Sequence, residues 1–216
     1  QLTHLYYGDP GTGKSIIASA IVNKYKLNIV KIKLSDIKSN REFCRVFKNR
    51  KYHDKMIDYD KILYLFDEVD VEFENILKRT KLKNIDKSLQ PIIVNNKEDT
   101  ININSKQSDQ LTIGTILEEI NGINQMYGRK MIFITNNYDK LIKIHNGALT
   151  RPGRIDLTLE FRKLCKEDAI EMVNLFFPNQ INHHIILHIE DNKYTPATLS
   201  NICKMSLNID NLVEYL

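Results

Sequence analysis

The sequence predicts an α/β fold: a three-layer αβα sandwich on a five-stranded parallel sheet, followed by a small α-helical subdomain. Three observations predict it. The glycine-rich segment Gly8-Asp9-Pro10-Gly11-Thr12-Gly13-Lys14-Ser15 joins a short apolar run to a stretch of helical apolar spacing. Apolar runs of strand length then alternate with segments of helical period, the order that produces a parallel sheet covered on both faces. Beyond Arg162 the strand runs stop and helical spacing takes over. The expected division is an α/β core over residues 1–162 and a helical lid over 163–216. A chain of 216 residues is long enough to bury such a core.

Leu2 to Tyr7 is the first expected strand, and Lys14 to Lys26 the helix after the glycine turn. Asn28 to Leu34 alternates, with Ile29, Lys31 and Lys33 on one face and Val30, Ile32 and Leu34 on the other. Ser35 to Ser39 reads as a loop, and Asn40 to Asn49 as a helix with Phe43, Val46 and Phe47 on one side. Lys61-Ile-Leu-Tyr-Leu-Phe66 is a near-continuous apolar run, the signature of a strand buried on both faces, and it ends at Asp67-Glu68. Leu82 to Gln110 turns polar and loses its period, which predicts a mobile surface insertion with a hairpin over Pro91 to Ile103. Thr112 to Ile123 reads as an amphipathic helix that Gly122 is placed to end. Lys130 to Thr135 is another buried strand, and Ile155 to Phe161 the fifth, with Leu157, Leu159 and Phe161 inward. Glu167 to Phe177 and Thr195 to Leu207 are helices, the second capped by Thr195 with Pro196 in its first turn.

Composition bounds the function classes. Hydrophobic residues at 42% and charged residues at 27% are ordinary for a soluble globular protein. No apolar run approaches the ~18–20 residues of a membrane helix, and no secretory leader is visible. The sequence opens on Gln1, almost on the first strand, and reads as a fragment whose upstream residues are missing. Cys44, Cys165 and Cys203 are far apart and share no metal spacing, as expected of reduced thiols in an intracellular protein of unspecified compartment. A net charge of +4 permits acidic partners without requiring them.

Gly8 to Ser15 fits the pattern G-x-x-x-x-G-K-[ST], the phosphate-binding loop of the P-loop NTPases, in its strand–loop–helix context. Glycines let the backbone curl so that N–H groups converge on phosphate oxygens, and the following helix presents its positive end. Lys14 can reach the β- and γ-phosphates of ATP, and Ser15 can ligate Mg²⁺. Asp67 and Glu68 close a buried strand, the acidic Walker-B arrangement. Asp67 would hold Mg²⁺ through water, and Glu68 would polarise the attacking water.

Three further stretches resemble the AAA+ ATPases, and within them the AAA group proper. Ile134-Thr135-Asn136-Asn137 is similar to the strand end that carries the family's sensor-1 asparagine, which places Asn136 beside the lytic water. Ala148-Leu149-Thr150-Arg151-Pro152-Gly153-Arg154-Ile155-Asp156 resembles the group's second region of homology, which makes Arg151 and Arg154 fingers reaching the neighbouring subunit's nucleotide. Tyr194-Thr195-Pro196-Ala197 stands where the lid helix meets the nucleotide, adding Thr195 and Ala197 to the ATP-binding set of residues 8–15. Leu34-Ser35-Asp36, the ending Glu119-Ile120-Asn121-Gly122-Ile123 and Arg151 to Asp156 are most similar to one subgroup. That subgroup is the mitochondrial inner-membrane chaperone that inserts the Rieske iron–sulfur protein. Ile37-Lys38-Ser39 stands where threading unfoldases carry an aromatic–glycine pore loop. The chain also departs from the family in three places: Asp9 puts an acid in the loop, the insertion after the Walker-B strand is long, and the stretch before Arg151 is lengthened near Lys143 to Gly147.

The resemblance implies a Mg-dependent ATPase that forms a hexameric or heptameric ring and remodels or translocates a protein client. One alternative is a nucleic-acid-stimulated ATPase, a loader or replication factor. It rests on the basic runs Arg45 to Tyr52 and Lys78 to Lys83, although amphipathic helices with solvated lysines explain these too. Another is a regulatory subunit that binds ATP without hydrolysing it. His183, His184 and His188 include an i, i+4 pair, but no cysteine or well-placed carboxylate completes a metal site, Glu190 being the nearest candidate.

Overall fold

The computed structural model describes residues 1–88, 109–121, 127–206 and 208–216, with backbone alone for 81–88 and 210. Strand β1 (Leu2–Gly8) runs into the glycine turn and helix α1 (Lys14–Tyr25) leaves it. There follow β2 (Asn28–Ile32), α2 (Asn40–Lys48), a short hairpin of β3 (Lys51–Tyr52) and β4 (Lys55–Met56), β5 (Ile62–Phe66) and α3 (Val69–Ser88). The core continues with α4 (Ile113–Asn121), β6 (Lys130–Thr135), α5 (Tyr138–Lys143) and β7 (Leu157–Phe161). Five strands form one parallel sheet in the order β2-β5-β6-β1-β7. Strands β1, β5 and β6 therefore end side by side, at the carboxyl edge where open α/β sheets bind ligands.

The two sheet faces are covered unequally. Leu5, Ile32, Tyr64, Phe66 and Phe133 point into the larger core, closed by Phe43 and Phe47 of α2, Val69, Phe73 and Ile76 of α3, and Ile116, Leu117 and Ile120 of α4. Phe66 and Phe133 stack there with ring centroids 4.6 Å apart. The opposite face carries Tyr6, Leu63, Leu65, Ile132 and Ile134, and α1 is the one described helix in its cluster. This corrects part of the reading of the fifth strand: Phe161 packs against that cluster, as expected, but Leu157 and Leu159 lie outside it. Leu157 and Leu159 share that face with His4 and Tyr6, yet remain 40% and 39% exposed. On this edge strand they lie outside the cluster that α1 closes.

Helix α3 also differs from expectation. It continues to Ser88, so residues 82–88, read as the start of the polar insertion, are helical. The expected hairpin over 91–103 and the helix stop at 122 lie outside the described residues. Ser39 caps α2, accepting the Glu42 N–H at 3.1 Å, and Ile37 is buried. The segment after β2 is thereby fastened to the body of the fold.

Helices α6 (Lys166–Phe176), α7 (His183–His188), α8 (Pro196–Met205) and α9 (Ile209–Tyr215) complete the chain. They enclose a cluster of their own, with Val173, Ile185, Tyr194, Leu199 and Leu212 at its centre. Thr195 caps α8 by accepting the Thr198 N–H at 3.2 Å, with Pro196 at the first helical position.

One buried cation ties the larger core together. Arg129 donates to the carbonyls of Glu119 and Ile120 at 3.0 and 3.2 Å and to Gln1 Oε1 at 3.0 Å. Its guanidinium lies 4.4 Å over the Phe47 ring. It thus satisfies carbonyls at the C-terminal end of α4, where a positive charge is favoured. Burial pushes its pKa down. Arg129→Ala removes the side-chain donor to the Glu119 carbonyl, leaves the Ile120 carbonyl to Gln1 Nε2 alone, and opens a void beside Phe47. Urea unfolding is expected to show a loss of about 1–3 kcal/mol; a loss below ~0.5 kcal/mol would mean the network is peripheral.

Candidate functional site

The glycines of the turn are required by geometry. Gly8 has φ 138°, and a Cβ there would lie 2.0 Å from the carbonyl oxygen of Phe161 on the neighbouring strand. Gly11 and Gly13 also hold positive φ, 82° and 98°. Gly13 begins α1 without a side-chain cap. The leading N–H groups of α1 thus have no capping side chain, an arrangement that suits an anion.

Lys14 is buried, and its ammonium lies along the loop, donating to the carbonyls of Gly8 and Asp9 at 2.8 and 2.7 Å. Burial lowers its pKa, while the carboxylates of Asp9 and Asp67 pull it back up. Thr12 closes the turn by donating its hydroxyl to the Asp9 carbonyl at 2.8 Å. The charge is therefore held in place by backbone oxygens of the glycine turn.

The acidic end of β5 supplies the facing wall. Asp67 Oδ1 accepts the Glu68 N–H at 3.1 Å, and Oδ2 accepts the Lys31 ammonium at 3.0 Å. Glu68 takes a left-handed backbone, φ 50°, a strained conformation of the kind that collects at functional sites. Its carbonyl accepts the N–H groups of Val71 and Glu72 to start α3, and its side chain is exposed. At the end of β6, the fully buried Thr135 donates its hydroxyl to Asp70 Oδ1 at 2.7 Å and accepts the Asn137 N–H at 3.1 Å. That pair joins the first turn of α3 to the strand end and fixes the backbone on both sides of Asn136. Sequence reasoning missed Thr135, Asp70 and Lys31. A carboxylate at i+3 from Asp67 in the first turn of a helix was the available signal for Asp70.

Strand ends, glycine turn and C-terminal helices enclose an open cavity of about 300 Å³. It brings together Lys14, Ser15, Asp67, Glu68, Asn136 and Ala197, with Pro10, Gly11 and Gly13 at its rim. Ala197 donates its N–H to the Gly11 carbonyl at 3.1 Å. A Cβ on Gly11 would sit 3.0 Å from Thr195 Oγ1, so α8 rests directly on the loop. Ser15 and Asp67 offer a hydroxyl and a carboxylate to one space. Such oxygen donors fit Mg²⁺, which binds through one or two carboxylates plus phosphate. Among the described residues no group of three or more His, Cys, Asp or Glu could cage a metal. The rings of His184 and His188 lie 4.6 Å apart without a third such ligand.

Arg151 and Arg154 do not line this cavity. Arg151 is exposed, and Arg154 is half-buried, donating to the Ala148 carbonyl. The stretch before them makes a tight turn: His145, Asn146 and Gly147 are successive left-handed residues at φ 50°, 55° and 65°. Behind the arginines, Asp156 accepts the Thr3 N–H at 2.7 Å and donates its own N–H to the Thr3 carbonyl at 2.8 Å. The arginine segment is thus clamped to β1.

The family model described as ATPase family associated with various cellular activities (AAA) matches residues 4–163. An AAA-ATPase of Arabidopsis thaliana is 26% identical over 214 residues, 96% of this chain and 40% of its own length. A second, named as mitochondrial, is 27% identical over 203 residues, 91% of this chain and 39% of its own. A 26S proteasome regulatory subunit homologue from the same plant is 24% identical over 206 residues, 92% and 44% respectively. The chain spans about two fifths of the length of these curated relatives. Among the described residues no helix is long and apolar enough to cross a membrane.

Proposed function

The chain belongs to the AAA family of ATPases, and from that premise we propose that it binds ATP with Mg²⁺ at the glycine loop and hydrolyses it in a ring of its own copies. Residues 163–216 would form the lid of the site. The observation that carries the reading is one cavity holding a buried ammonium, an uncapped helix end, two carboxylates and an asparagine, with both arginines outside it. In this reading Lys14 neutralises the β- and γ-phosphates, while Ser15 and Asp67 hold the metal. Magnesium, when bound, supplies positive charge to the phosphate oxygens. Glu68 accepts the proton of the attacking water, and Asn136 orients that water. Arg151 and Arg154, which do not line their own subunit's cavity, complete a neighbouring subunit's site. An arginine fork, permanently charged, suits a phosphoryl group in transit.

The Gly11–Ala197 hydrogen bond gives nucleotide a direct mechanical line to the C-terminal helices. A change at the loop shifts α8, and a hexameric or heptameric ring would transmit the shift to a protein client. A nucleic-acid substrate is less well supported. Lys48 pairs with Glu119 at 2.8 Å, Lys51 with Asp54 at 2.9 Å, and Arg79 donates to the Ser35 carbonyl at 2.9 Å. The basic runs thus have internal partners, which leaves less charge for phosphate. Placement beside the Rieske-assembly chaperones rests on Leu34-Ser35-Asp36, the ending Glu119-Ile120-Asn121-Gly122-Ile123 and the arginine segment.

The binding half of the proposal is tested by calorimetric titration of ATP in Mg²⁺ into wild type and Lys14→Ala. A charge-assisted hydrogen bond is worth ~1.5–3 kcal/mol, so affinity is expected to fall by about tenfold to a hundredfold. Unchanged affinity would place the phosphates elsewhere.

A further inference from the structure

The metal-holding carboxylate already has a ligand. Both oxygens of Asp67 are engaged, Oδ1 by the Glu68 N–H at 3.1 Å and Oδ2 by the Lys31 ammonium at 3.0 Å. Lys31 comes from β2, the edge strand beside β5, where it pairs in register with Leu65. Its side chain is 60% exposed and that of Asp67 only 25%, so the lysine lies over the carboxylate from the solvent side and is free to swing away. Lys33, two residues on, turns to Asp36 at 3.7 Å. The contact is therefore particular to Lys31.

We propose that Lys31 is a positioning residue that latches Asp67 while the metal is absent and must be displaced for Mg²⁺ to load. This rests on the reading of Asp67 as the metal-holding carboxylate. The physics is a competition between two cations for Oδ2. An ammonium satisfies the carboxylate with one charge-assisted hydrogen bond, whereas the divalent ion carries twice the charge and recruits Ser15 and phosphate oxygens. The metal wins, but its apparent affinity is reduced by the strength of the contact it breaks. The latch holds the carboxylate oriented and hydrogen-bonded before metal arrives. It also couples metal loading to release of a cation at the sheet edge.

The test uses a fluorescent ATP analogue. Its affinity is measured with the chelator EDTA and then at increasing Mg²⁺, for wild type, Lys31→Met, Lys31→Arg and Lys33→Met. The readout is the Mg²⁺ concentration giving half of the metal-dependent gain in affinity. An exposed ion pair corresponds to a factor of about two to five, so Lys31→Met is expected to lower that midpoint two- to fivefold. Lys31→Arg retains the charge and stays near wild type. Lys33→Met, which removes the same charge without touching Asp67, also stays near wild type and separates the latch from a general field effect. An unchanged or raised midpoint in Lys31→Met overturns the latch, as does an equal drop in Lys33→Met. If wild type binds no analogue with or without Mg²⁺, the nucleotide-site reading itself fails and the latch falls with it. Binding without any metal-dependent gain removes Asp67 from the metal site instead.

Discussion

Glu68→Gln is expected to lower ATP turnover by about 10²–10⁴-fold, the contribution of a positioned general base, while ATP binding survives. The geometry makes the separation clean. The Glu68 side chain is exposed to the cavity, and the residue's structural work is done by its backbone, which starts α3 through its carbonyl and bonds Asp67 through its N–H. Glutamine preserves that backbone and the side-chain volume, and removes the negative charge and with it the ability to take a proton. Steady-state phosphate release and calorimetric ATP titration check the two halves. A variant that turns over at the wild-type rate would mean water is activated by another group. One that loses ATP binding altogether would mean the carboxylate belongs to the binding surface.

Arg154→Ala is expected to lower turnover by about 10³–10⁵-fold, the range for an arginine finger in other nucleotide hydrolases, with ATP binding per subunit preserved. Arg154 is half-buried and donates to the Ala148 carbonyl, so its loss also touches local packing. Arg154→Lys separates the two effects. Lysine keeps the charge but lacks the planar fork, so its turnover remains far below wild type while its melting temperature stays close. Full activity in either variant would make Arg154 a local strut for the Ala148 turn.

The parts of the fold that the sequence made legible are those where one physical signal dominates. The glycine turn could be read because backbone approach leaves no alternative: a side chain at Gly8 would collide with Phe161. β5 could be read because burial on both faces demands a run without polar residues, and Ile62 to Phe66 are buried throughout. α2 could be read from Phe43 and Phe47 at i and i+4, both fully buried. Other features depend on neighbours that no local pattern names. Leu157 and Leu159 alternate as an inward-facing strand would, but whether that face is covered depends on where α1 lies. The Thr135–Asp70 and Lys31–Asp67 contacts join residues 65 and 36 positions apart, and polar pairs at such separation leave no periodic trace. Polar composition hid the helical stretch before Ser88, because helicity there continues from α3 and needs no apolar face of its own to begin it. The arginine segment was legible as chemistry only through family resemblance, since two exposed or half-exposed arginines beside a Pro-Gly turn carry no sequence period.

The central claim is that each site is completed by a neighbouring copy, and mixing the two inactive variants tests it most directly. Glu68→Gln retains Arg154, and Arg154→Ala retains Glu68. In head-to-tail assemblies formed from equal parts of each, roughly a quarter of the interfaces join an intact Glu68 to an intact Arg154. The account predicts that turnover, near background for either variant alone, rises on mixing to roughly a quarter of the wild-type rate per subunit. Background turnover in mixtures that sedimentation shows to contain both variants in one assembly would contradict it.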